Sequence, residues 1–512
     1  MFVRQKRNRS GSISVHIISK ARGRYHVVKT LGSSRDPAQI ERLVAEAHAS
    51  VAGTSQQQRL FPVLTKEHAA IAGFIRTLDN AAVRTIGPEY IFGTLFDRVG
   101  YNAVEELLFR HLVVARLAYP KSKLQTADYL QRYRGIDIDV NDIYRFLDTL
   151  NAVHKKTVEK IAFEHTRKII ETITVVFYDM TTLYFEAEEE DDFRKIGFSK
   201  DGKFQCPQIM IGLLVGEGGH PIGYDVFEGN TFEGHTLVAT LDAIAAKYRL
   251  GKPVVVADAA MLSKKNLADL VAAEYTFIVG GRIKNENDSV KAEILEKSHE
   301  KKEGLSLEVR RTDGTRLIVT HSEKRSRKDK RNREKGIERL RRKVASGNLT
   351  KAHITNRGYN KFLVLDTQVS VTIDERKIAD DALWDGLKGY VTNTTLPHEK
   401  IVEHYGHLWQ IEKAFRVSKS DLRVRPIFHR KRRRIEAHLC IAFVAYSLWK
   451  ELERLLKQRN VHMTPTRAAA LTQTMYALEY ALPGGVNSDF VVLKMQPEQQ
   501  ILSDAVHGRV SQ

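Results

Sequence analysis

Two aspartates each follow a short apolar run that is typical of a strand buried on both faces. Asp179 comes after Val175–Tyr178, and Asp258 comes after Val254–Ala257. A carboxylate in this position is costly to bury unless it is paired or binds a metal, and the strand ends of open α/β sheets are where sites form. Either aspartate alone could merely cap the next turn. Two of them in one predicted sheet favour a site.

A third carboxylate, Glu412, stands in a segment whose apolar residues recur at helical spacing. A helix over 397–419 would place residues three and four apart in one stripe on its surface. That stripe comprises Tyr405, Leu408, Glu412, Phe415 and Lys419. Because apolar side chains flank the stripe, we expect Glu412 to face the protein interior. The alternative is an ordinary i,i+4 ion pair with Arg416.

The segments around the two aspartates predict a mixed sheet with covering helices. The predicted strands are 175–178, 208–215, 221–227, 254–257 and 275–279, and the predicted helices are 235–248 and 264–273. Strands that are first consecutive and then alternate with helices are typical of such a sheet.

The rest of the chain differs from this core, so we predict a multidomain α+β protein. Residues 65–170 are mainly helical, and their short helices suit either DNA reading or plain packing. A hairpin around Asp313-Gly314, followed by the basic stretch Lys324–Lys343, indicates an insertion that interrupts the core. The predicted parts are a β-rich basic arm (1–60, ending in a linker at 55–59), a helical region (65–170), the first part of the core (171–282), a β-rich basic insertion (283–385), the second part of the core (386–460) and a polar C-terminal tail (461–512).

Charge and composition restrict the partners and the compartment. The 81 Lys and Arg residues outnumber 62 Asp and Glu residues, and the resulting charge of +19 favours a polyanionic partner, most commonly nucleic acid. No run of 18 apolar residues predicts a membrane-spanning helix, and the basic N-terminus lacks the apolar core of a secretory signal. Two cysteines exclude a disulfide framework, which fits a reducing cytoplasm.

The three carboxylates stand in stretches that resemble a known family. Tyr405, Glu412 and Lys419 match the Tyr-x2-Arg-x3-Glu-x6-Lys signature of insertion-sequence transposases with an Asp-Asp-Glu catalytic domain, the insertion-sequence-four-like group. The sequences around the two aspartates resemble the first two catalytic strands of this family, and the resemblance extends from Phe177 to Tyr446. The signature arginine is replaced by Leu408, so His407 or Arg416 would have to take over its phosphate contact.

The resemblance implies a fold and a cofactor. It implies a ribonuclease-H-like mixed α/β catalytic core, interrupted by the β-rich basic insertion and preceded by the mainly helical DNA-binding region. It also implies that Asp179, Asp258 and Glu412 hold two Mg²⁺ ions, which Mn²⁺ can replace, with Asp179 bridging both. Hard oxygen ligands of this kind suit Mg²⁺. Tyr405 and Lys419 would grip a phosphate beside the scissile bond.

Further basic residues are candidate contacts to DNA. Those near the expected site are Arg416, Lys264, Lys265, Arg430, Lys431, Arg432, Arg433 and Arg434. The stretch Lys324–Lys343 is a second candidate, although a generic charged helix face explains it equally well. Some members of the family hold a flipped base against an aromatic side chain of the insertion, and Trp384 is the only tryptophan there.

Two functions from different classes remain open. The first is a prokaryotic, cytoplasmic and nucleoid-associated DNA transposase, which cleaves double-stranded DNA at terminal inverted repeats and joins the ends to target DNA. Synapsis of two ends implies a homodimer or a larger assembly, and no membrane is involved. The alternative is a catalytically inactive DNA-binding regulator derived from a transposase.

Overall fold

The computed structural model describes residues 1–21, 23–54, 71, 73–75, 82–199, 202–231, 236–259, 263–347, 349–355, 357–365, 371–481 and 488–508. These residues form two compact units, Met1–Asp79 and Asn80–Gln512. The sequence placed its first boundary between residues 60 and 65, whereas contacts divide the chain after Asp79. The linker expected at 55–59 lies outside the described residues.

The described part of the chain contains runs of strands, runs of helices and one region, 237–297, in which the two alternate. The strands are β1 (Phe2–Arg7), β2 (Ile13–Ala21), β3 (Arg24–Ser34), β4 (Val83–Thr85), β5 (Val175–Tyr184), β6 (Gln208–Val215), β7 (Pro221–Glu228), β8 (Val254–Ala257), β9 (Phe277–Gly281), β10 (Ser306–Arg310), β11 (Arg316–His321), β12 (Leu363–Leu365), β13 (Val371–Ile373), β14 (Leu387–Thr392), β15 (Tyr476–Ala481) and β16 (Ser488–Val492). The helices are α1 (Pro37–Thr54), α2 (Thr94–Val99), α3 (Leu107–Ala118), α4 (Lys123–Arg134), α5 (Val140–Thr149), α6 (Lys155–Ile170), α7 (Leu237–Tyr248), α8 (Lys264–Ala272), α9 (Asp288–Lys297), α10 (Glu323–Ala345), α11 (Glu375–Ala382), α12 (His398–Gly406), α13 (Trp409–Arg416), α14 (Arg432–Gln458), α15 (Pro465–Thr472) and α16 (Pro497–His507).

The first unit is an antiparallel sheet of β1, β2 and β3 with α1 on one face. Apolar residues alternate with polar ones along β2, so Val15 and Ile17 pack against Ile40 of the helix. Residues Phe2–Arg7, at the start of the predicted β-rich basic arm, form the edge strand β1 of this sheet. The charged side chains of Arg4, Lys6 and Arg7 are typical of an edge strand.

The second unit contains a mixed eight-stranded sheet in its described part. The strand order is β10-β11-β14-β9-β8-β5-β6-β7. Strand β8 is parallel to both of its neighbours, β5 and β9, and all other neighbouring pairs are antiparallel. The mixed sheet predicted from the sequence is therefore confirmed. Strands β5 and β8 lie at its centre and are covered on both faces, which explains their continuous apolar runs.

The predicted hairpin around Asp313-Gly314 is present, but it does not belong to a separate insertion. Strand β11 pairs with β14 and extends the main sheet, so β10 and β11 are part of the core. The remainder of the expected insertion is smaller. There α10 packs on β12 and β13 through an apolar cluster that includes Ile337, Leu340 and Phe362.

The long helix α14 organises the helical part of the second unit. It is buried along most of its length and contacts α3, α5 and α6, so residues 89–170 share one hydrophobic core with the sheet. The predicted C-terminal tail is also folded: α16 packs on α14, and β15 pairs with β4. Leu502 and Val506 are buried in this packing. The sequence analysis missed them because it considered only the average composition of the tail, which is polar.

Instead of the single helix predicted over 397–419, the structure has two short helices. Helix α12 ends at Gly406, α13 begins at Trp409, and residues Val417–Asp421 form a wider turn. Among the described residues, no helix is long and apolar enough to cross a membrane.

Because α14 lies in the shared core, shortening one of its buried side chains should lower the stability of the protein strongly. Leu452 is fully buried in the shared core, so Leu452→Ala should lower the free energy of unfolding by about 2–5 kcal/mol. Urea denaturation followed by circular dichroism measures this. The exposed Lys457 on the same helix provides the control, because Lys457→Ala should change stability by no more than about 0.5 kcal/mol. Equal effects of the two substitutions would contradict the packing.

Candidate active site

Asp179 and Asp258 lie at the same level on neighbouring strands. In the parallel pair of β5 and β8, Phe177 is opposite Val256, and the two aspartates stand two residues further along. Side chains two residues apart share a face, so both carboxylates lie on one side of the sheet, on strands about 5 Å apart. Both residues are half-buried.

The position of Asp179 within its strand differs from the prediction. Strand β5 continues to Tyr184 along β6, so Asp179 lies in the middle of the strand rather than at its C-terminal end. Asp258 does follow the last residue of β8, as predicted. The register pairs of β5 with β8 end at Phe177, and Asp179 therefore stands where β5 loses its parallel neighbour. The backbone N–H of Met180 donates to the Asp179 carboxylate at 2.7 Å.

Tyr405 reaches the same face of the sheet over a glycine. The row of Asp179 and Asp258 continues in register to Gly280 of β9. A Cβ atom added to Gly280 would lie 2.6 Å from the Tyr405 hydroxyl and 3.1 Å from the Cβ of Ala259. Only a residue without a side chain allows this approach. The hydroxyl of Tyr405 is thereby placed next to the residue that follows Asp258.

The electrostatic surroundings of Tyr405 connect it to two of the candidate carboxylates. Burial raises the pKa of Tyr405 to about 12, and the negative charges of Asp258 and Glu412 act in the same direction. The hydroxyl is therefore protonated near neutral pH and can donate a hydrogen bond. Asp258 comes from the sheet and Glu412 from α13, so Tyr405 stands between the two elements.

Two cations complete this part of the site: Lys388, which the sequence did not indicate, and Arg325, which belongs to the basic stretch Lys324–Lys343. The Lys388 ammonium lies 4.3 Å from the centre of the Tyr405 ring and 5.2 Å from that of Tyr390. Burial lowers the pKa of Lys388, and Arg325 lowers it further, while Glu412 raises it. The signal was available in the alternation of β14, because Lys388 and Tyr390 share a face.

Glu412 does not lie on an inward face, as the sequence predicted, but is exposed. The break between α12 and α13 explains this, because α13 buries Ile411, Ala414 and Phe415 and leaves Glu412 toward solvent. Within the described ranges, no group of three His, Cys, Asp or Glu side chains is arranged to hold a metal ion. The structure therefore brings Asp179 and Asp258 together. Glu412 is not grouped with them, but its charge acts on Tyr405 and Lys388.

The other signature positions are spread around the same face. Lys419 is half-buried and lines a small cavity with Phe415 and Thr181, which lies two residues beyond Asp179 on β5. Leu408, at the signature arginine position, is buried in the hydrophobic core. Of its two candidate substitutes, His407 is half-buried and Arg416 is exposed.

The basic run at the start of α14 is largely occupied by contacts within the protein. Arg433 and Arg434 both bind the carboxylate of Asp148, and together they lower its pKa to about 2. Arg432 pairs with Glu436 at 2.9 Å. These three arginines therefore fix α14 against itself and α5, contrary to the expectation of free phosphate contacts.

Four other basic candidates are accessible. Arg430 and Lys431 are exposed, and no ion-pair partner of either is found among the described residues. Lys264 and Lys265 are exposed at the first turn of α8.

A cavity of about 620 Å³ adjoins the site on the side of α10. Arg325 and Lys388 line it together with three aromatic residues, Tyr359, Phe362 and Trp384. The candidate tryptophan of the expected insertion, Trp384, therefore lines the same cavity as Lys388, which contacts the ring of Tyr405.

Comparison with known families decides the class of the protein. The family model described as the transposase DDE domain matches residues 171–448. The chain belongs to this DDE transposase family. The matched range starts just before β5 and ends within α14, so it includes all three candidate carboxylates of this DDE transposase domain.

Solved structures of transposases share only remote similarity with the chain. The piggyBac transposase in a synaptic complex with hairpin DNA is 10% identical, with 75% of this chain and 76% of that chain covered and a TM-score of 0.36. The Mos1 transposase in a paired-end complex with the left transposon end is 10% identical, with 46% and 71% covered and a TM-score of 0.16. No curated protein matches the chain.

The contact between Gly280 and Tyr405 predicts a coupled pair of substitutions. Gly280→Ala should lower the melting temperature because its methyl group collides with the Tyr405 hydroxyl. Tyr405→Phe removes that hydroxyl, so the double variant should recover part of the loss, with a coupling of about 0.5–3 kcal/mol. Thermal unfolding of the three variants measures it.

The control for this experiment is Gly251→Ala, since nothing lies within 4 Å of a Cβ atom at Gly251. This substitution should be nearly neutral, alone or with Tyr405→Phe. Strict additivity of Gly280→Ala and Tyr405→Phe would mean that the hydroxyl does not lie over Gly280.

Proposed function

We propose that the chain is the DNA transposase of an insertion sequence, which binds terminal inverted repeats, cleaves the DNA ends and joins them to a target. The observation that carries the proposal is the pairing of Asp179 with Asp258 at one level of the sheet, with Tyr405 beside them. The family match supports it. Three antiparallel strands β7-β6-β5, followed by the parallel strands β8 and β9, support a ribonuclease-H-like core.

The donor set fits the cofactor that the proposal requires. Asp179, Asp258 and Glu412 offer carboxylate oxygens, which Mg²⁺ prefers, and none of them needs Cys or His beside it. When bound, two Mg²⁺ or Mn²⁺ ions would activate the attacking oxygen and stabilise the leaving oxygen of a phosphodiester. The two aspartates would supply the fixed ligands from the sheet. The exposed Glu412 side chain would have to turn toward them to complete the set.

The residues around the carboxylates would hold the DNA backbone in place. Tyr405 keeps its proton near neutral pH, so its hydroxyl would donate to a phosphate oxygen. Lys388 and Lys419 would flank the same phosphate with positive charge from β14 and from the turn after α13. Lys388 would thereby supply the charge that Leu408 lacks at the signature arginine position.

The rest of the chain offers surfaces for the duplex. The open face of the first sheet carries Arg4 opposite His16, and α1 covers only the other face. A β-sheet surface of this width can enter the major groove. In the second unit, the exposed Lys264, Lys265, Arg430 and Lys431 would contact the backbone. Because both ends of an element must meet, the active form would be a homodimer or larger, in a prokaryotic cytoplasm at the nucleoid.

A catalytically inactive DNA-binding regulator is the competing function, and the exposed position of Glu412 favours it. The two functions differ in one measurable property, strand cleavage. Incubation of the purified protein and Mg²⁺ with DNA that carries the element ends separates them.

Glu412→Gln is the decisive substitution. It should reduce Mg²⁺-dependent cleavage by about 10²- to 10³-fold, because several kcal/mol of charge stabilisation are lost, while DNA affinity stays unchanged. Gel analysis of cleaved strands and fluorescence anisotropy measure the two properties. Asp179→Asn and Asp258→Asn should give the same result.

A matched control is Glu403→Gln on α12, where the exposed glutamate pairs with Lys400. This variant should cleave at the wild-type rate. Normal cleavage by Glu412→Gln would show that Glu412 is not the third ligand. Binding without any cleavage by the wild-type protein would favour the regulator.

The first sheet makes a separate prediction about DNA binding. Arg4→Gln should weaken binding to duplex DNA and reduce the slope of log affinity against log salt by about 1, because one phosphate contact is lost. Anisotropy titrations at several salt concentrations measure the slope. Arg42→Gln removes the same charge from the exposed side of α1 and should leave the slope unchanged. Equal slopes for wild type and Arg4→Gln would exclude this face from binding.

A further inference from the structure

A basic cleft of about 560 Å³ lies between the start of α4 and residues 423–429, and none of the three candidate carboxylates lines it. Its lining combines cationic, imidazole and aromatic side chains from both parts of the second unit. The residues that characterise it are Arg116, Lys123, Arg425, Phe428, His429 and His438. We call it the 116/123 cleft.

The two cations that give the cleft its name are buried. Lys123 and Arg116 are each only 5% exposed. Among the described residues, Lys123 has neither a hydrogen-bond acceptor nor an ion-pair partner. Arg116 donates to the backbone carbonyls of Leu422 and Arg423 at 3.4 Å each, which are neutral acceptors. Buried charges are ordinarily paired with an opposite charge. These two cations have no such counter-ion among the described residues.

The surrounding charges do not compensate them. Burial lowers the pKa of Lys123 well below its usual value, and the other charge acting on it is the cation Arg116. Burial also lowers the pKa of His429 to about 3, with Lys123 and Arg116 acting in the same direction. The charge of Asp148 opposes this by raising the pKa of His429. However, the Asp148 carboxylate is already held by two arginines of α14. Arg116 therefore keeps its charge without a compensating group, and Lys123 would hold its proton more firmly if an anion were bound beside it.

Other polar groups in the cleft also suit an anion. The N-terminus of α4 begins at Lys123, where unpaired backbone N–H groups and the helix dipole favour negative charge. Phe428 beside them is 66% exposed.

We propose that the 116/123 cleft binds a phosphate group and that, in the transposase, this group is a backbone phosphate of bound DNA. The phosphate would supply the missing counter-ion for Lys123 and Arg116. The assignment to DNA rests on the proposed function, whereas the assignment to phosphate does not.

Titration with inorganic phosphate at constant ionic strength tests the site itself. Isothermal calorimetry of the full chain should show one phosphate bound per chain, and Lys123→Met should weaken this binding about 10- to 100-fold, because one charged hydrogen bond is lost. Lys160→Met removes an exposed lysine of α6 and should bind phosphate like the wild type.

Thermal unfolding without phosphate shows that the variant is folded. Lys123→Met should melt no lower than the wild type, because it removes a buried charge that has no partner. Lys123→Gln provides a second variant of different polarity with the same expected loss of phosphate binding. Wild-type phosphate affinity in both variants would overturn the proposal.

The source of the phosphate is tested with a generic DNA duplex of about 20 base pairs. Lys123→Met should reduce the salt slope of duplex binding by about 1, whereas Lys160→Met should not change it. A normal slope together with lost phosphate binding would overturn the assignment to DNA and assign the cleft to free phosphate. Normal cleavage by Glu412→Gln would overturn the proposed chemistry but leave both phosphate results intact.

Discussion

The parallel pairing of β5 with β8 is the constraint on which the candidate site depends. It fixes which residues stand side by side, and a slip of one residue would turn one aspartate to the opposite face of the sheet. The apolar runs before the aspartates prevent such a slip, because both faces of these strands are covered. The same burial that holds the register places two carboxylates at the border of the core, where a counter-charge is required.

The sequence predicted correctly those elements whose structure depends on neighbouring residues along the chain. The strands before Asp179 and Asp258 are continuous apolar runs of a length typical of buried strands, and the structure contains both. The hairpin at Asp313-Gly314 was equally visible from its turn residues, and β10 and β11 are present. Its place in the fold was not, because the partner strand β14 lies far along the chain and no local signal reports such a pairing.

The orientation of Glu412 could not be read from spacing alone. Residues three and four apart form one stripe only while a helix is continuous, and the chain interrupts the helix between Gly406 and Trp409. Leu408 is buried at this break, so its packing decides the orientation of α13. Lys388 was missed because it belongs to a strand at the border of the expected insertion. Arg325 was identified only as one cation of the basic stretch Lys324–Lys343.

The pairing of β4 with β15 has a consequence for how the protein is made. Thr85 is matched with Tyr476, so the second unit joins residues that leave the ribosome far apart in time. Strand β15 and the last helix, α16, are needed for a complete core, which delays folding until translation is nearly finished. The first unit needs only its own residues and can fold as soon as it emerges. A nascent chain would therefore carry a finished basic sheet well before it carries an assembled carboxylate pocket.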